Sequence, residues 1–188
     1  MSKVVQYENR KKVTSYLYEK SSKKGLICYY FSSKLKENPL KEIPEGYEIW
    51  EHPETYQVFL RKIIPCLITQ EEKEVLQLFM KELCPLRLFR IDIKSGEIVI
   101  YVAQDISGFS TRGFFAGAID TSLDLYAYYS AQFRFTLIDP EKRVFSAERW
   151  CYFGSIDDWI FIGNLSSLEF LCKKHFPHLG QDSYYDLD

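Results

Sequence analysis

The residues best suited to bind a ligand are lysines and tyrosines near the start of the chain. They lie in the run VTSYLYEKSSKKGLICYY, and the candidates for a binding surface are Tyr16, Lys23, Lys24 and Tyr29. Lysines bind phosphates and aromatic rings stack on unpaired bases, so this composition is typical of a surface for single-stranded nucleic acid. The same residues fit a solvated hairpin whose tyrosines line a small sheet and whose lysines protect its edge. We favour the second interpretation.

A second candidate surface lies in the segment GFSTRGFFAG. It carries aromatic rings and one cation at Phe109, Arg112 and Phe114. It has neither the G-x-x-x-x-G-K-[ST] nor the G-x-G-x-x-G pattern that cradles a phosphate. Because long loops in folded domains often carry function, we expect this segment either to fold onto the core or to present an apolar surface to a partner.

Acidic residues near the middle of the chain are candidates for hydrolysis. Asp92-x-Lys94 followed by Glu97 places an acid and a lysine on one strand face, as in metal-dependent nucleases, and Asp157 is adjacent to Asp158. Adjacent residues of a helix diverge by about 100°, which weakens the second pair. A solvated hairpin edge with an ion pair accounts for the first group without catalysis, so no catalytic residue is assigned.

The histidines and cysteines do not form a recognisable metal or redox motif. Pro177 interrupts the pair His175-x-x-His178, and a metal site usually needs a third ligand. Five cysteines are widely spaced and never form C-x-x-C: Cys28, Cys66, Cys84, Cys151 and Cys172. This spacing predicts reduced thiols, and the apolar runs around Cys28, Cys151 and Cys172 predict buried, inert side chains. We expect neither a cofactor nor a metal.

Two hairpins are predicted to form a Tyr-rich basic β unit over residues 1–65. In the first, two β-rich runs flank SSKKG, where Gly25 can adopt a positive φ. In the second, EHPE joins the runs GYEIW and TYQVFLRK, and the prolines lie outside both runs.

An α+β core is predicted over residues 66–180. Thr69-x-x-Glu72 is a capping box that begins an amphipathic helix, which Pro85 ends. The run FRIDIKSGEIVIYV folds back at its central SG. Pairing Lys94 with Glu97 places Phe89, Ile91 and Ile93 opposite Val102, Ile100 and Ile98, which gives the hairpin one apolar face.

The alternation from Tyr129 to Leu137 predicts another strand with one apolar face. Pairing Ile138 with Val144 in the following strand places Arg134 opposite Glu148 and Leu137 opposite Phe145. The capping patterns Ser155-x-x-Asp158 and Ser166-x-x-Glu169 then predict the starts of two short helical segments. Residues 181–188 are expected to form a frayed acidic tail.

Composition limits the class of protein. The chain has 188 residues, of which 46% are hydrophobic and 27% charged, so disorder and coiled coil are excluded. No run approaches the ~20 apolar residues of a membrane helix, which predicts a cytoplasmic protein without a membrane segment. Residues 1–45 carry ten Lys and Arg against five Glu, a net +5, whereas the remainder carries fourteen against twenty-one, a net −7. The basic start could therefore bind nucleic acid or the acidic tail.

The Tyr-rich hairpin followed by PEGYEIWEHP and QVFLRK resembles stretches in a family of uncharacterised bacterial proteins. The resemblance covers about the first third of the chain and implies no activity. From the residues we predict an α+β fold, an N-terminal β-hairpin unit plus an antiparallel sheet with helices packed on one face. The leading hypothesis is a non-enzymatic binding or adaptor protein with a protein partner. The alternatives are a hydrolase or metal-dependent nuclease and a single-stranded nucleic-acid binder, and the oligomeric state stays open.

Overall fold

The computed structural model describes residues 4–104, 124, 125, 127–163 and 165–187. The chain divides into two compact units, Met1–Ile64 and Pro65–Asp188. The described residues form three antiparallel sheets and two α-helices, which confirms the α+β class. None of the described helices has the length and apolar character that crossing a bilayer requires.

The first unit contains both predicted hairpins. Its strands are β1 (Gln6–Glu8), β2 (Thr14–Ser21), β3 (Ile27–Ser32), β4 (Tyr47–Glu51) and β5 (Val58–Lys62). They form one sheet in the order β1-β2-β3 and another of β4 with β5. Gly25 has φ 75° in the turn between β2 and β3, a conformation that glycine adopts without strain. Leu17 and Tyr18 are the buried residues of β2's apolar stretch.

The second unit is a five-stranded antiparallel sheet with two helices. Its strands are β6 (Phe89–Lys94), β7 (Glu97–Ala103), β8 (Tyr129–Asp139), β9 (Val144–Phe153) and β10 (Ile156–Phe161). They lie side by side in the order β10-β9-β8-β7-β6. The helices are α1 (Gln70–Leu83) and α2 (Leu168–His175), and α2 is followed by the short 3-10 turns Phe176–His178 and Asp182–Tyr184.

Both helices pack on the same face of this sheet. Leu76 and Met80 of α1, with Leu171 of α2, are buried in one cluster with inward side chains of the strands. Those strand residues include Ile98, Ile100, Val102, Phe133, Phe135, Phe145 and Ala147. We call this helix-covered side the inner face and the opposite side the outer face. Helices therefore cover one face of the sheet, as predicted.

The predicted start of α1 and the predicted β6–β7 register are confirmed. The Thr69 hydroxyl accepts from the Glu72 backbone N–H at 3.2 Å, and the Glu72 carboxylate accepts from the Thr69 N–H at 2.9 Å. Lys94 lies opposite Glu97, so the alternating apolar residues of the two strands share the inner face. A Cβ at Gly96 in the turn would lie 3.3 Å from the Cβ of Leu137, a tight contact that would require a small shift of that neighbour.

Strand β8 contains two irregularities that the alternation did not reveal. Arg134 lies opposite Glu148 as predicted, but Val144 lies opposite Asp139, so the predicted Ile138–Val144 pair is wrong. The register between β7 and β8 also shifts: Ile100 pairs with Phe133, but the next residue, Tyr101, pairs with Ala131, so β8 has one extra residue at this point. An extra residue reverses the side-chain alternation. Tyr129 and Ala131 therefore lie on the outer face, whereas Phe133 lies on the inner face.

Both predicted helix starts near the C-terminus require correction. The Ser155-x-x-Asp158 pattern does not begin a helix, because these residues belong to the turn and strand of the β9–β10 hairpin, where Trp159 pairs with Trp150. Helix α2 is capped by Ser167, whose hydroxyl accepts from the Phe170 N–H at 3.3 Å. The predicted cap Ser166 instead exchanges backbone hydrogen bonds with Phe145, which fixes it as extended chain.

The C-terminal segment is ordered, so the prediction that it frays is wrong. Tyr184 is 4% exposed and Leu187 is 8% exposed, and both belong to the core cluster. The Tyr184 hydroxyl donates to the Gln132 carbonyl at 2.8 Å. Arg149 donates from Nε to the Leu187 carbonyl at 3.0 Å and from Nη2 to the Tyr185 carbonyl at 3.1 Å. These bonds hold the segment against the sheet.

Candidate functional site

The outer face of the five-stranded sheet carries a cluster of aromatic and charged side chains. Strand alternation and pairing place Arg134 opposite Glu148, Trp159 opposite Trp150, and Phe161 also opposite Glu148. Tyr152 follows on the same face of β9. We call this set the aromatic face; it consists of Arg134, Glu148, Trp150, Tyr152, Trp159 and Phe161.

The outer face is covered at one end and open at the other. Near β6 and β7 its apolar side chains form a small buried cluster, in which Tyr101, Ala103 and Tyr129 pack with Ala127. At the β9–β10 end, Tyr152 is 82% exposed and Phe161 is 55% exposed. Contiguous patches of exposed aromatic side chains are common at interaction sites. Among the described residues, the aromatic face is therefore the more exposed part of the outer face.

Arg134 lies at the centre of the aromatic face and is held in a fixed geometry. Its Nε and Nη2 donate to the two carboxylate oxygens of Glu148 at 2.6 and 2.9 Å. Its guanidinium carbon lies 4.8 Å from the centroid of the Trp159 ring. The rings of Trp159 and Trp150 meet edge to face, with centroids 5.1 Å apart. The hydrogen bond with Glu148 raises the pKa of Arg134 above its usual range, so this group is always charged.

This arrangement has features that are common at binding surfaces. Trp, Tyr and Arg are the residue types that contribute most energy at protein interfaces. The bidentate ion pair and ring contacts fix the side chains in advance, which reduces the conformational entropy lost on binding.

The sequence-predicted surface of lysines and tyrosines does not form as one surface. In the β2–β3 pairing, Tyr18 lies opposite Tyr30 and Glu19 lies opposite Tyr29. Tyr16 therefore shares a face with Tyr18, whereas Tyr29 lies on the other face. Lys23 and Lys24 are exposed in the turn between the strands. The structure thus separates the four residues that the sequence grouped.

The rings on the Tyr16 side of the sheet already have partners within the protein. Tyr18 and Tyr30 stack with centroids 5.5 Å apart. The ammonium groups of Lys36 and Lys20 lie 5.1 and 5.6 Å from the Tyr30 centroid. Each lysine is then a cation–π partner of a sheet residue. This packing favours the solvated-hairpin interpretation over a platform for stacked bases.

Tyr29 lines a hollow on the opposite side of the three-stranded sheet. Its ring meets Tyr47 edge to face at 5.2 Å. The hollow encloses about 460 Å³ and is lined by Ser15, Tyr56 and Phe59 as well as Tyr29. The other predicted surface residues, Phe109, Arg112 and Phe114, lie outside the described residues.

The acids named from the sequence do not converge. Asp92 lies opposite Val99, so its carboxylate is flanked by an apolar neighbour across the strands. Asp157 and Asp158 are consecutive on β10 and therefore point to opposite faces. Within residues 4–104, 124–125, 127–163 and 165–187, no three His, Cys, Asp or Glu side chains are grouped so that they could hold a metal ion.

The two C-terminal histidines have different surroundings. His175 is completely buried, and neither ring nitrogen has a hydrogen-bond partner in the described part of the chain. Burial lowers its pKa to about 4, with smaller contributions from Lys174 and His178. The Nδ1 of His178 lies 2.8 Å from the hydroxyl oxygen of Ser183. His175 thus belongs to the core, and His178 lies at its edge.

The five cysteines are all free thiols in the structure. Cys172 is buried as predicted, and Cys151 is half-buried. Cys28 is exposed, so the prediction that it is buried is wrong. It lies on β3, an edge strand of the three-stranded sheet, where an apolar run can face solvent. Burial raises the pKa of Cys84 to about 11, which keeps this thiol protonated and unreactive.

Sequence reasoning missed the aromatic face. Its signal lies in two runs, RWCY and DWIF, whose alternate aromatic residues share a face once β9 and β10 pair. Because the second run follows a predicted helix start, the sequence alone does not bring the two tryptophans together. No protein-family model, curated protein or solved structure matches the chain, which is consistent with its resemblance to an uncharacterised family from which no function follows.

Proposed function

We propose that the protein is a non-enzymatic binding or adaptor protein, and that its partner is another protein that binds to the aromatic face. The observation that carries this proposal is the cluster of Arg134, Trp150 and Trp159 beside two exposed rings, Tyr152 at 82% and Phe161 at 55% exposure. Exposing two large rings to water is unfavourable, and a partner that covers them recovers that free energy.

The charged groups of the aromatic face, like its rings, are compatible with a protein interface. Arg134 is already neutralised by Glu148, so covering it does not bury an unpaired charge. Burying an unpaired charge is what makes many polar surfaces poor interfaces. The pair is also fixed in position, so a partner meets a surface that needs little rearrangement.

We further propose that the protein acts in the cytoplasm of a bacterial cell. Five free cysteines that are too widely spaced for a disulfide framework support a reducing compartment. The resemblance of the N-terminal third to bacterial proteins supports a bacterial origin.

Two phenylalanines allow a closely matched test of the proposed interface. Phe161 on β10 and Phe170 on α2 have the same residue type and are each 55% exposed, but only Phe161 belongs to the aromatic face. The tagged parent, the double variant Tyr152→Ala/Phe161→Ala and the control Phe170→Ala are produced in the native host. Proteins retained by each are quantified by mass spectrometry, and the best-retained protein is purified for measurement of its Kd.

We expect one protein to be retained equally by the parent and by Phe170→Ala, and at least tenfold less by the double variant. Loss of large aromatic side chains that anchor an interface costs about 2 kcal/mol or more, so the Kd of the purified pair should rise at least about 30-fold in the double variant. Equal retention by all three chains, or retention of no protein by the parent, would contradict the proposal. Near-UV circular dichroism checks that the variants keep the parental packing.

A further inference from the structure

A pocket in the second unit lies where α1 ends and β6 begins. It encloses about 620 Å³, and its lining includes residues from the end of the helix and the start of the strand together with Asp124 and Tyr129. Small-molecule sites usually enclose about 300–1,000 Å³, so the pocket has the size of a ligand site. It is separate from the aromatic face, which lies at the β9–β10 end of the sheet.

The walls of the pocket are mainly apolar. Met80 from α1 and the segment Pro85, Leu86, Leu88 and Phe89 supply these walls. Met80 and Leu86 belong to the core cluster and are fixed by it, which gives the pocket rigid support. An apolar surface of this kind binds the hydrocarbon part of a ligand.

The charged residues of the pocket are predominantly basic. Its described lining includes the three cations Lys81, Arg87 and Arg90 and the single carboxylate of Asp124, which leaves a net charge of +2. Asp124 is already engaged, because one of its oxygens accepts from Arg90 Nη2 and the other accepts from the Tyr129 hydroxyl. It therefore neutralises Arg90 and leaves the charge of the other two cations uncompensated.

Lys81 and Arg87 have no competing partners among the residues that the structure describes. Both side chains are exposed, and neither forms an ion pair or hydrogen bond with another described residue. Arg90, by contrast, is held by Asp124 and lies with its guanidinium carbon 5.6 Å from the Tyr129 ring centroid. The pocket thus combines two available cations at its edge with a third that is fixed in position.

The remaining polar groups of the pocket do not offer covalent chemistry. Burial raises the pKa of Cys84 to about 11 and that of Tyr129 to about 12, so both remain protonated at neutral pH. A protonated thiol is a poor nucleophile. A binding role is therefore better supported than a catalytic one.

We propose that this pocket binds a small amphipathic anion, with a carboxylate or phosphate headgroup at Lys81 and Arg87 and an apolar tail against Pro85, Leu86 and Leu88. Charge complementarity selects the headgroup, because two unpaired cations attract an oxyanion and repel an ammonium group. The apolar walls select the tail. This ligand site goes beyond the proposed protein partner and does not depend on it.

The test uses the full-length protein and four probes with a ten-carbon chain, counting the carboxylate carbon of decanoate: decanoate, decyl phosphate, decanol and decyltrimethylammonium. Binding is followed by the amide chemical shifts of residues 80–90 and by titration calorimetry, at probe concentrations below micelle formation. We expect saturable binding of at least one anion at these amides, and affinity at least tenfold weaker for decanol and for the ammonium probe. Comparison of decanoate with decyl phosphate shows which headgroup is preferred.

Matched variants test the role of the two cations. In Lys81→Gln/Arg87→Gln the affinity for the preferred anion should fall about tenfold, because two exposed charge interactions are lost. The control Lys94→Gln/Lys174→Gln removes two exposed lysines from elsewhere in the same unit and should leave the affinity unchanged. Absence of saturable anion binding, equal affinity for decanol, or equal loss in both double variants would overturn the proposal.

Discussion

The buried His175 should make the second unit sensitive to acid. The ring is completely buried, lies 5.7 Å from the ring of Phe133, and has no hydrogen-bond partner for either nitrogen among the described residues. Protonation would place an unpaired positive charge in the core, which costs several kcal/mol unless the structure opens. Burial therefore lowers the pKa to about 4, from an ordinary value of 6.5.

The size of the effect follows from the difference between the two pKa values. The difference of about 2.5 pKa units corresponds to about 3 kcal/mol, at about 1.4 kcal/mol per unit. Between pH 6.5 and 4 the unfolded chain binds a proton at His175 that the folded chain does not. The free energy of unfolding should therefore fall as the pH drops through this range, whereas above pH 6.5 the contribution is fully present.

The measurement is urea unfolding of the full chain at several pH values between about 7.5 and 4. A Trp50→Phe background leaves Trp150 and Trp159 as the only tryptophans, and both lie in the second unit, so fluorescence reports on that unit alone. Between pH 7.5 and 4, His175→Leu should lose about 3 kcal/mol less free energy of unfolding than the parent. His175→Gln provides a second variant that cannot titrate.

His178→Gln is the matched control, because it removes a histidine three residues away whose Nδ1 contacts Ser183 at the edge of the core. It should keep most of the parental pH dependence. If the parent and His175→Leu show the same pH dependence, His175 does not remain uncharged in the folded state and the reasoning from its burial fails.

Two further predictions concern the helix cap and the basic hairpin. Ser167→Ala should lower the free energy of unfolding of the second unit by about 1 kcal/mol, whereas Ser166→Ala should change it little, because only Ser167 accepts from a helix N–H; urea unfolding that gives the reverse order would contradict this assignment. Lys23→Gln/Lys24→Gln should leave the stability of the chain unchanged, and the parent should not bind an oligothymidylate at micromolar concentration in about 0.15 M salt. Micromolar binding whose salt dependence flattens in the double variant would contradict the solvated-hairpin interpretation.

Hairpins with short turns were predictable from the sequence because one choice satisfied several local requirements together. In FRIDIKSGEIVIYV, the turn residues, the Lys94–Glu97 pair and the apolar alternation all require the same register, and the structure has it. The capping box at Thr69 is similar, since two reciprocal hydrogen bonds and an amphipathic run begin at the same residue.

The errors arose where a local pattern has two physical meanings. Ser155-x-x-Asp158 fits a helix cap, but Gly154, with φ 62°, and Ser155 also form a two-residue turn between Phe153 and Ile156. The second meaning prevails because it lets Trp159 pack against Trp150. The bulges in β8 leave no mark in the alternation, since one extra residue only exchanges the faces of the residues on either side of it.

Arg149 shows how the C-terminal segment could have been placed from the sequence. In VFSAERWCYF, the alternation that directs Phe145 and Ala147 into the core also directs Arg149 inward. A buried guanidinium must donate to acceptors, and no carboxylate in the described chain pairs with it, so backbone carbonyls have to be brought to it. Leu187 and Tyr185 supply them, and Leu187 closes the core at the same point. An inward-facing arginine on a central strand is therefore itself a signal that a further segment covers that end of the sheet.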